Sequence, residues 1–349
     1  MKLSGRGHGV LRSRSPIVSD PIGQNLGDTM KSLLSCFFVA SGLTLAAGSA
    51  AAESFPDRPL KILSAFPAGG STDIIARTLA AKLQASTGQP VVVENRVGAT
   101  GSIAVQGVTS AAADGYTMLF HTSALIITPW LSKVPYDPLR DLIPLTRPAM
   151  AAYVFVVRPT LPIKNLKDFV DYAREHPGKL SCSTYGVGSP PHLALEMLKK
   201  AAGIDVLHVP YRGFAQALPD MASGQLDCGI DTQMNYQPHI LSGAVRAVAI
   251  TDSKPSKVFP QADPIGAVYP NAKVLAWQGM FVKAGTPADI VEKLGSELRK
   301  AIQMPDVQER MTSTGFEPVG DTPQEFAAVY RQDYEAFGNI IKERGIATQ

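Results

Sequence analysis

Residues Pro56–Asp73 read PDRPLKILSAFPAGGSTD, an apolar run that leads through a glycine-rich turn into a polar helix start. The run Leu60–Phe66 is typical of a buried strand, and Ser71-Thr72-Asp73 favours the first turn of a helix. A strand that passes through Gly69 and Gly70 into a helix directs free backbone N–H groups and the positive end of the helix dipole to one place. This pattern predicts a binding site for an anion, either a phosphate or a carboxylate.

The first 52 residues are interpreted as a leader that the working protein lacks. Met30 is followed by Lys31, by the mostly apolar stretch Leu33–Ala47, and by Ala50-Ala51-Ala52, an A-x-A cleavage pattern before Glu53. This order of a basic, an apolar and a small-residue region is typical of a secretory signal peptide. We therefore expect translation to begin at Met30, cleavage after Ala52, and a periplasmic location.

Charge and cysteine content exclude several classes of function. Of the 33 basic and 30 acidic residues, five and two lie in residues 1–52, which leaves 28 of each and no net charge in the expected mature chain. A nucleic-acid-binding face needs clustered Lys and Arg, so we expect no nucleic-acid partner. Cys182 and Cys228 fit no metal or CxxC spacing, and both lie in apolar, strand-like runs. We expect buried free thiols there rather than a disulfide bond.

Strand-like and helix-like segments alternate along the mature chain, which predicts an α/β fold with mainly parallel sheets. Among them are a strand over Tyr153–Val157, helices over Leu166–Glu175 and Phe214–Ser223, and a capping box at Thr322–Glu325 before the last helix. We expect one domain from residues 53–153 plus 275–349, and a second from residues 154–274. Two crossings between the domains, near 153–157 and 274–282, would form a hinge beside a cleft. Ligands of such sheets lie beyond the carboxyl ends of the strands, and domain closure around the ligand is the expected motion.

Four turns at predicted strand ends supply N–H groups or hydroxyls, and none supplies a cation. They are Phe66–Asp73, Val97–Ser102 (VGATGS), Thr122-Ser123 and Tyr185–His192 (YGVGSPPH). Several neutral donors and helix starts suit a carboxylate. The phosphate alternative lacks support, because the sequence has no GxxxxGK[ST] and the prolines after Gly188 break a dinucleotide motif.

Several side chains near these turns admit more than one role. Asp73 either contacts a ligand or caps N–H groups of the helix start. His192 either donates to an anion, acts as a base, or is a packed, hydrogen-bonded histidine. Asp231 either meets a ligand ammonium group or caps the next helix. Tyr211 is placed to line the cleft, and Arg212 either faces solvent or pairs with a dicarboxylate.

The sequence offers little support for catalysis. The signatures GxSxG and HExxH and a reactive-cysteine motif are absent. We therefore expect no enzyme activity, no cofactor and no metal. The alternative is a periplasmic serine hydrolase in which Ser71, Ser123 or Ser189 pairs with His192, although no third catalytic residue is evident.

Six segments spread over the mature chain resemble one family, the Bug-type receptors, which are the periplasmic substrate-binding proteins of tripartite tricarboxylate transporters. The segments are FPDRPLKILSAFPAGGSTDIIARTLAAKLQASTGQPVVVENRVGATGSIA (55–104), DGYTMLF (114–120), YDPLRDLIPLTRPA (136–149), STYGVGSPPHLALEML (183–198), VPYRG (209–213) and KAGTPADIVEKL (283–294). The resemblance implies a type II periplasmic-binding-protein fold, in which two α/β domains close like a Venus flytrap on one small organic anion.

The resemblance also implies a division of labour within the site. The turns Phe66–Ser71 and Val97–Gly101 would hold one carboxylate, partly through ordered water, and the loop Thr184–His192 would contribute from the other domain. The ligand-binding candidates are Phe66, Ala68, Gly69, Gly70, Ser71, Asp73, Val97, Gly98, Thr100, Gly101, Ser123, Thr184, Gly186, Gly188, Ser189, His192, Tyr211 and Asp231.

The implied function is a monomeric periplasmic receptor that delivers a small organic acid to integral-membrane transporter subunits. A ligand sensor for a signalling kinase stays open as an alternative. The chain departs from the family pattern at Val97 and Thr100 and in the residues after Asp231, where Thr-Gln-Met-Asn-Tyr replaces a more apolar run. These departures lie near the site, so the identity of the ligand stays open.

Overall fold

The computed structural model describes residues 55–211 and 214–347. The leader and signal peptide interpreted in residues 1–52 lie outside the described residues, as does Arg212. The strands are β1 (Leu60–Ser64), β2 (Val91–Asn95), β3 (Thr117–Thr122), β4 (Leu142–Val157), β5 (Ser181–Thr184), β6 (Leu207–Pro210), β7 (Cys228–Thr232), β8 (Arg246–Ile250), β9 (Asp263–Pro264), β10 (Leu275–Lys283) and β11 (Glu317–Pro318). The helices are α1 (Ser71–Thr87), α2 (Ser102–Thr109), α3 (Ala124–Leu131), α4 (Leu166–Glu175), α5 (Pro190–Ala202), α6 (Phe214–Ser223), α7 (Gln233–Leu241), α8 (Ile265–Val268), α9 (Ala288–Ile302), α10 (Pro305–Ser313) and α11 (Pro323–Arg344).

The strands form two groups that share β4. The order is β2-β1-β3-β10-β4-β7-β5-β6, with β11 and β8 also paired to β4 and β9 paired to β8. The pairs of β1 with β2 and β3, and of β5 with β6 and β7, are parallel, as the alternating segments predicted. β10 runs antiparallel to β3 and β4, and β4 runs antiparallel to β7 and β8. The predicted α/β class is confirmed.

β4 is the longest strand and joins the two groups. Its first part, from Leu142 to Ala152, pairs with β10, and its second part, from Tyr153 to Val157, pairs with β7 and β8. Only the second part was predicted as a strand. Pro144 and Pro148 interrupt the apolar pattern of the first part, and the register with β10 shifts there, so the sequence does not read as a central strand.

The last helix begins as its sequence predicts. Thr322 Oγ1 accepts the Glu325 N–H (3.2 Å), Glu325 Oε2 accepts the Thr322 N–H (2.8 Å), and Pro323 occupies the first helical position. α11 then packs Phe326 and Tyr330 against β10, where both rings contact Trp277. Its apolar stripe is buried, and each large side chain so buried contributes about 1.5–3 kcal/mol. Within residues 55–211 and 214–347, none of the helices combines the length and apolar character that crossing a bilayer requires.

Cys182 and Cys228 form a disulfide bond, so the expectation of free thiols is wrong. The parallel pairing of β5 and β7 places the two cysteines directly opposite each other. Their Cα atoms lie 4.4 Å apart, a separation that a disulfide spans without backbone movement. The apolar strands that suggested buried thiols are therefore the elements that bring the two sulfur atoms together.

The disulfide bond should affect both the number of titratable thiols and the stability of the protein to denaturant. Denatured full-length chain should titrate one thiol, from Cys36, before reduction and three after it, because the sequence holds three cysteines. The bond closes a loop of 46 residues, which corresponds to about 4 kcal/mol of constraint on the unfolded chain. The double substitution Cys182→Ala/Cys228→Ala should therefore lower the denaturation midpoint in guanidinium chloride. Three thiols in the unreduced protein would contradict the assignment.

Candidate ligand-binding site

The first three predicted turns leave the sheet at one edge. β1 lies between β2 and β3, with Ser64 opposite Asn95 on one side and opposite Phe120 on the other. All three strands run parallel, so their carboxyl ends meet and the turns that follow them are neighbours. The backbone is exposed in both the Pro67–Gly70 and the Val97–Thr100 turns. The predicted geometry of these three turns is therefore present.

The Asp73 carboxylate holds the first turn together. Its Oδ2 accepts the Gly69 N–H (3.0 Å) and Arg77 Nε (2.9 Å), and its Oδ1 accepts Asn95 Nδ2 (2.7 Å). The Asn95 amide also donates to the Phe66 carbonyl (3.0 Å). Burial acts to raise the pKa of Asp73, but the hydrogen bonds from Arg77, Gly69 and Asn95 outweigh it and hold that pKa below its usual value. These contacts give Asp73 a structural role in the turn before α1, although it accepts the Gly69 N–H and not an N–H of the helix start. Its contact with a ligand stays a prediction.

The Asp73 network uses one N–H of the turn and leaves others unpaired. The N–H groups of Gly70, Ser71 and Thr72 make no hydrogen bond to any residue that the structure describes. α1 begins at Ser71 without a side-chain cap, so these donors are the unsatisfied groups of a helix start. These N–H groups form the positive end of the helix dipole, and an anion beside them is stabilised. Ala68 lies beside them on the exposed stretch of the turn.

The second turn holds four successive residues at positive φ. The angles are +123° at Gly98, +45° at Ala99, +53° at Thr100 and +89° at Gly101. Ala99 and Thr100 each pay about 1–3 kcal/mol for this conformation. Successive N–H groups in such a turn form a concave anion site, and among the described residues those of Gly98, Ala99 and Thr100 have no partner. Strain that the sequence retains here indicates a functional loop, and Val97 begins it as an exposed residue.

His121 lies at the same edge as these turns and was not among the residues predicted from the sequence. Its fully buried ring packs edge-on against Phe66, with 5.5 Å between ring centroids. Its Nδ1 lies 2.9 Å from the Thr122 backbone nitrogen and 3.1 Å from the Thr122 carbonyl oxygen. Burial lowers the pKa of His121 to about 4, so the ring is neutral. The available signal was its place beside Thr122-Ser123, one of the predicted turns; Ser123 is itself buried at the start of α3.

Unpaired buried polar atoms concentrate at this edge. Ser64 Oγ, His121 Nε2 and both amide atoms of Gln278 are buried without a hydrogen-bond partner. They are four of the six such atoms among the described residues. Gln278 lies on β10 opposite Thr122, where β3 ends. Buried polar groups in folded proteins ordinarily have partners, so this edge is built to receive further hydrogen-bonding atoms.

The fourth turn is held by its own side chains. Ser189 Oγ donates to the Gly186 carbonyl (2.7 Å) and accepts the His192 N–H (3.4 Å), which caps α5. The Gly188 N–H donates to His192 Nδ1 (3.0 Å). His192 therefore holds the loop through hydrogen bonds within it. These contacts correspond to the packed, hydrogen-bonded histidine and not to an anion donor or a base.

A second histidine supports the first from β6. The His192 and His208 rings stack with 3.7 Å between their centroids, and His208 Nε2 lies 2.7 Å from Thr184 Oγ1. Burial lowers the pKa of both histidines to about 4, and their mutual proximity and Lys199 act in the same direction on His208. Both rings are neutral at physiological pH, which keeps His192 Nδ1 an acceptor for the loop.

Asp231 and Tyr211 face internal partners. Asp231 Oδ1 accepts the Thr232 N–H (2.6 Å) and Asn235 Nδ2 (3.0 Å), so its carboxylate contacts the residues around the start of α7 without capping an N–H of that helix. Burial raises the pKa of Asp231 despite these donors. The Tyr211 hydroxyl donates to Asp220 Oδ2 (2.6 Å), which raises the pKa of Tyr211 to about 12. Asp231 is near the carboxyl end of β7 and Tyr211 follows β6; both strands run parallel to β5, so the two residues share an edge with the fourth turn.

The fourth turn contacts the helix that follows the third. A Cβ built on Gly188 would lie 2.2 Å from Leu131 Cδ1, at the last residue of α3. Gly315, after α10, likewise lies against the Met234 side chain on α7. The fourth turn, from one strand group, therefore packs on the end of α3, which follows the third turn of the other group.

A well-formed cavity in the described part of the chain lies away from these turns. Its volume is 610 Å³, and it opens between α11, the end of α5 and the start of β10. Trp277 and Asp333 line it, and Trp277 Nε1 donates to Asp333 Oδ2 (2.8 Å). No residue of the four predicted turns contributes to it, so its size does not mark the predicted site.

Comparison with known proteins gives one consistent family. The model of the tripartite tricarboxylate transporter family receptor matches residues 75–346. A protein encoded in the tcbD-tcbE intergenic region of Pseudomonas sp. strain P51 is 36% identical over 294 residues, which are 83% of this chain and 88% of that protein. Protein BugT of Bordetella pertussis is 31% identical over 317 residues, which are 90% of this chain and 96% of BugT.

Two solved structures of similar chains contain a bound acid. The R. palustris protein Rpa4515 with adipate has a TM-score of 0.66 and 29% identity, over 84% of this chain and 100% of its own. MatC of Rhodopseudomonas palustris with bound malate has a TM-score of 0.61 and 29% identity, over 82% of this chain and 100% of its own.

Substitution of Gly101 tests the packing of the second turn on His121. A Cβ at Gly101 would lie 2.1 Å from His121 Nε2, in addition to the cost of φ +89°. Gly101→Ala should destabilise the protein by about 3 kcal/mol in chemical denaturation. Gly88→Ala is the matched control, since Gly88 has φ +71° with nothing within 4 Å, and it should cost about 1 kcal/mol. Equal losses would show that the His121 ring does not lie beneath the turn.

Proposed function

The chain belongs to the tripartite tricarboxylate transporter receptor family, and we propose that it is a periplasmic receptor for a small organic carboxylate that it delivers to membrane subunits of a transporter. The observation that carries the proposal is the set of unpaired N–H groups in two adjacent turns, at Gly70–Thr72 and Gly98–Thr100. These donors are fixed by the fold and accessible from solvent. They match the two oxygens of a carboxylate, which accept several N–H bonds each.

The donors are neutral, which distinguishes this site from one for phosphate groups. Two arginines lie near the turns, and both have partners. Arg77 donates to Asp73 and Asn95, and Arg96 donates to Glu94 (2.6 Å). Charge-assisted hydrogen bonds from main-chain N–H groups and the α1 dipole therefore supply the attraction.

The two acid-bound relatives support a dicarboxylate as the ligand class. Adipate and malate, found with the R. palustris proteins, are both linear acids with two carboxylates. Unpaired polar atoms deeper in the edge, at Ser64, His121 and Gln278, offer contacts beyond those of the first carboxylate. A ligand with a second polar group would use them.

The proposed receptor has two domains, residues 53–153 plus 275–349 and residues 154–274. β4 and β10 carry the chain between the two strand groups, and the contacts of Leu131 with Gly188 lie where the domains would meet. Closure around the ligand would bring the fourth turn onto the first three. The signal-peptide pattern before Glu53 supports export to the periplasm, and we propose that the receptor acts as a monomer.

The hydrolase alternative has no support in the geometry. Ser189 Oγ donates to a carbonyl, and His192 Nδ1 accepts the Gly188 N–H, so the pair lacks the serine-to-histidine hydrogen bond of an activated nucleophile. No observation favours a sensor for a signalling kinase over a transport receptor.

Thermal unfolding with candidate ligands tests the proposal. Malate, succinate, adipate, a hexose and ATP are added separately to the purified protein. A ligand present at a hundredfold excess over its Kd stabilises the folded state by about 2.7 kcal/mol. We expect an increase in Tm with at least one dicarboxylate. An increase with only the hexose or ATP would contradict the proposal.

Gly70 tests whether the first turn contacts the ligand. Gly70 has φ −77° and ψ 169°, which any residue adopts, and the nearest heavy atom to a Cβ is the Pro67 carbonyl at 3.9 Å. Gly70→Val should therefore leave the Tm of the free protein unchanged, while its branched side chain covers the adjacent N–H groups and weakens binding more than about tenfold. Gly70→Ala should have an intermediate effect. Unchanged affinity in both variants, by isothermal titration calorimetry, would move the site elsewhere.

A further inference from the structure

Gln278 is a buried residue with no structural role that the fold explains. It lies within β10, is fully buried, and neither its amide oxygen nor its amide nitrogen has a hydrogen-bond partner among the described residues. A glutamine amide offers two donors and an acceptor with two lone pairs, so this side chain leaves its whole capacity unused. Each buried group left unpaired costs about 1–3 kcal/mol. An apolar residue at this place would make a more stable protein.

The register of β10 places Gln278 at the ligand edge. β10 is antiparallel to β3, and Gln278 pairs with Thr122, the last residue of β3. On its other side Gln278 pairs with Ala149, next to a register shift between β10 and β4. Irregularities of this kind are frequent beside functional sites, where they redirect side chains.

The alternation of strand residues fixes the face on which Gln278 lies. Residues paired across two strands point to the same face of the sheet, so Gln278 shares its face with Thr122. Phe120, two positions before Thr122 on β3, points to that face as well. Phe120 packs in one cluster with Ile75 and Leu79 of α1, so this is the face that α1 covers. α1 starts at the same edge with the unpaired N–H groups of the first turn. Gln278 therefore lies on the face of the sheet that α1 covers, at the edge from which α1 starts.

The separation from the first turn fits the second end of a ligand. β3 lies between β1 and β10, so Gln278 is about 10 Å from β1, two strand spacings away. One carboxylate cannot contact both places. The distance suits a linear acid whose first carboxylate binds the turns while its distal group reaches the amide.

We infer that Gln278 is a specificity-determining residue whose amide hydrogen-bonds the distal carboxylate of a linear dicarboxylate. The inference rests on the proposed function and deepens it. The amide N–H groups donate to the distal oxygens, and neutral Ser64 on the same face adds a hydroxyl. A monocarboxylate of equal length would leave the amide unpaired and bind more weakly, since rejection of a ligand that lacks a polar group comes from the unpaired partner in the protein.

Matched acid pairs test the inference. Affinities of adipate and hexanoate, and of succinate and butyrate, are measured by isothermal titration calorimetry for the full chain and three variants. Gln278→Met keeps the side-chain length without the amide. Gln278→Glu keeps the shape and adds a charge that repels a distal carboxylate. Gln308→Met is the control, because Gln308 is exposed on α10.

The ratio of the affinity for a dicarboxylate to that for the matched monocarboxylate decides the test. The unmodified chain and Gln308→Met should share one preference, and Gln278→Met should reduce it about tenfold or more. Gln278→Glu should bind dicarboxylates still more weakly but keep its affinity for the monocarboxylates. If Gln278→Met does not fold, Gln278→Glu alone decides the test. An unchanged preference in the Gln278 variants would overturn the inference and leave the receptor function standing. Failure of the unmodified chain to bind any of the four acids would overturn both.

Discussion

The Asp73 carboxylate is the interaction on which the ligand edge depends. A receptor without a free cation at its site attracts an anion only if its N–H groups are already fixed and unpaired when the anion arrives. Asp73 meets this requirement by accepting one N–H, from Gly69, while Arg77 and Asn95 hold its other lone pairs. The turn is thereby ordered, and the next N–H groups along the chain stay available. Because Asn95 comes from the end of β2, the same network also ties the first turn to the strand that leads into the second.

The second turn also presents unpaired N–H groups, but a strained backbone and not a hydrogen-bonding side chain gives it its shape. Ala99 and Thr100 occupy the left-handed region although neither is glycine. The surrounding fold must supply the energy that keeps them there, and the buried His121 ring beneath Gly101 is the rigid support on which the loop rests. A neutral ring suits this position, because burial penalises the charged form and lowers the pKa of His121 to about 4. Two turns of different construction thus present the same chemistry at one edge.

Local patterns predicted most of the secondary structure. The helices Leu166–Glu175 and Phe214–Ser223 have the bounds that their apolar spacing predicted, and the Thr322–Glu325 capping box forms as expected. The first part of β4 was missed because its prolines hide a strand whose pairing is decided by β10. The disulfide was missed for a related reason, since only the register of β5 and β7 shows that the cysteines are opposite each other.

The same limit applies to the candidate site. The glycine-rich turns could be predicted because strand, turn and helix follow one another in the sequence. The contacts of Asp73 and His192 could not be decided, because capping and ligand binding demand the same residue types at the same positions. Gln278 gave no signal and His121 gave only its place beside a predicted turn, since each lies within an apolar strand and becomes notable only when the structure shows buried side-chain atoms without a partner. Sequence reasoning therefore predicted this edge as the site, and the tertiary structure shows which side chains lie there.

The most direct test of the central claim is to observe the main-chain amides while a ligand binds. In ¹H–¹⁵N NMR spectra of the protein titrated with a dicarboxylate that it binds, the amide protons of Gly70, Ser71, Ala99 and Thr100 should move downfield, as new hydrogen bonds to a carboxylate require. The Arg77 Nε resonance should stay in place, because its partner Asp73 is retained. Unmoved turn amides together with a large change at an arginine or lysine side chain would contradict the account, because a cation would then neutralise the ligand.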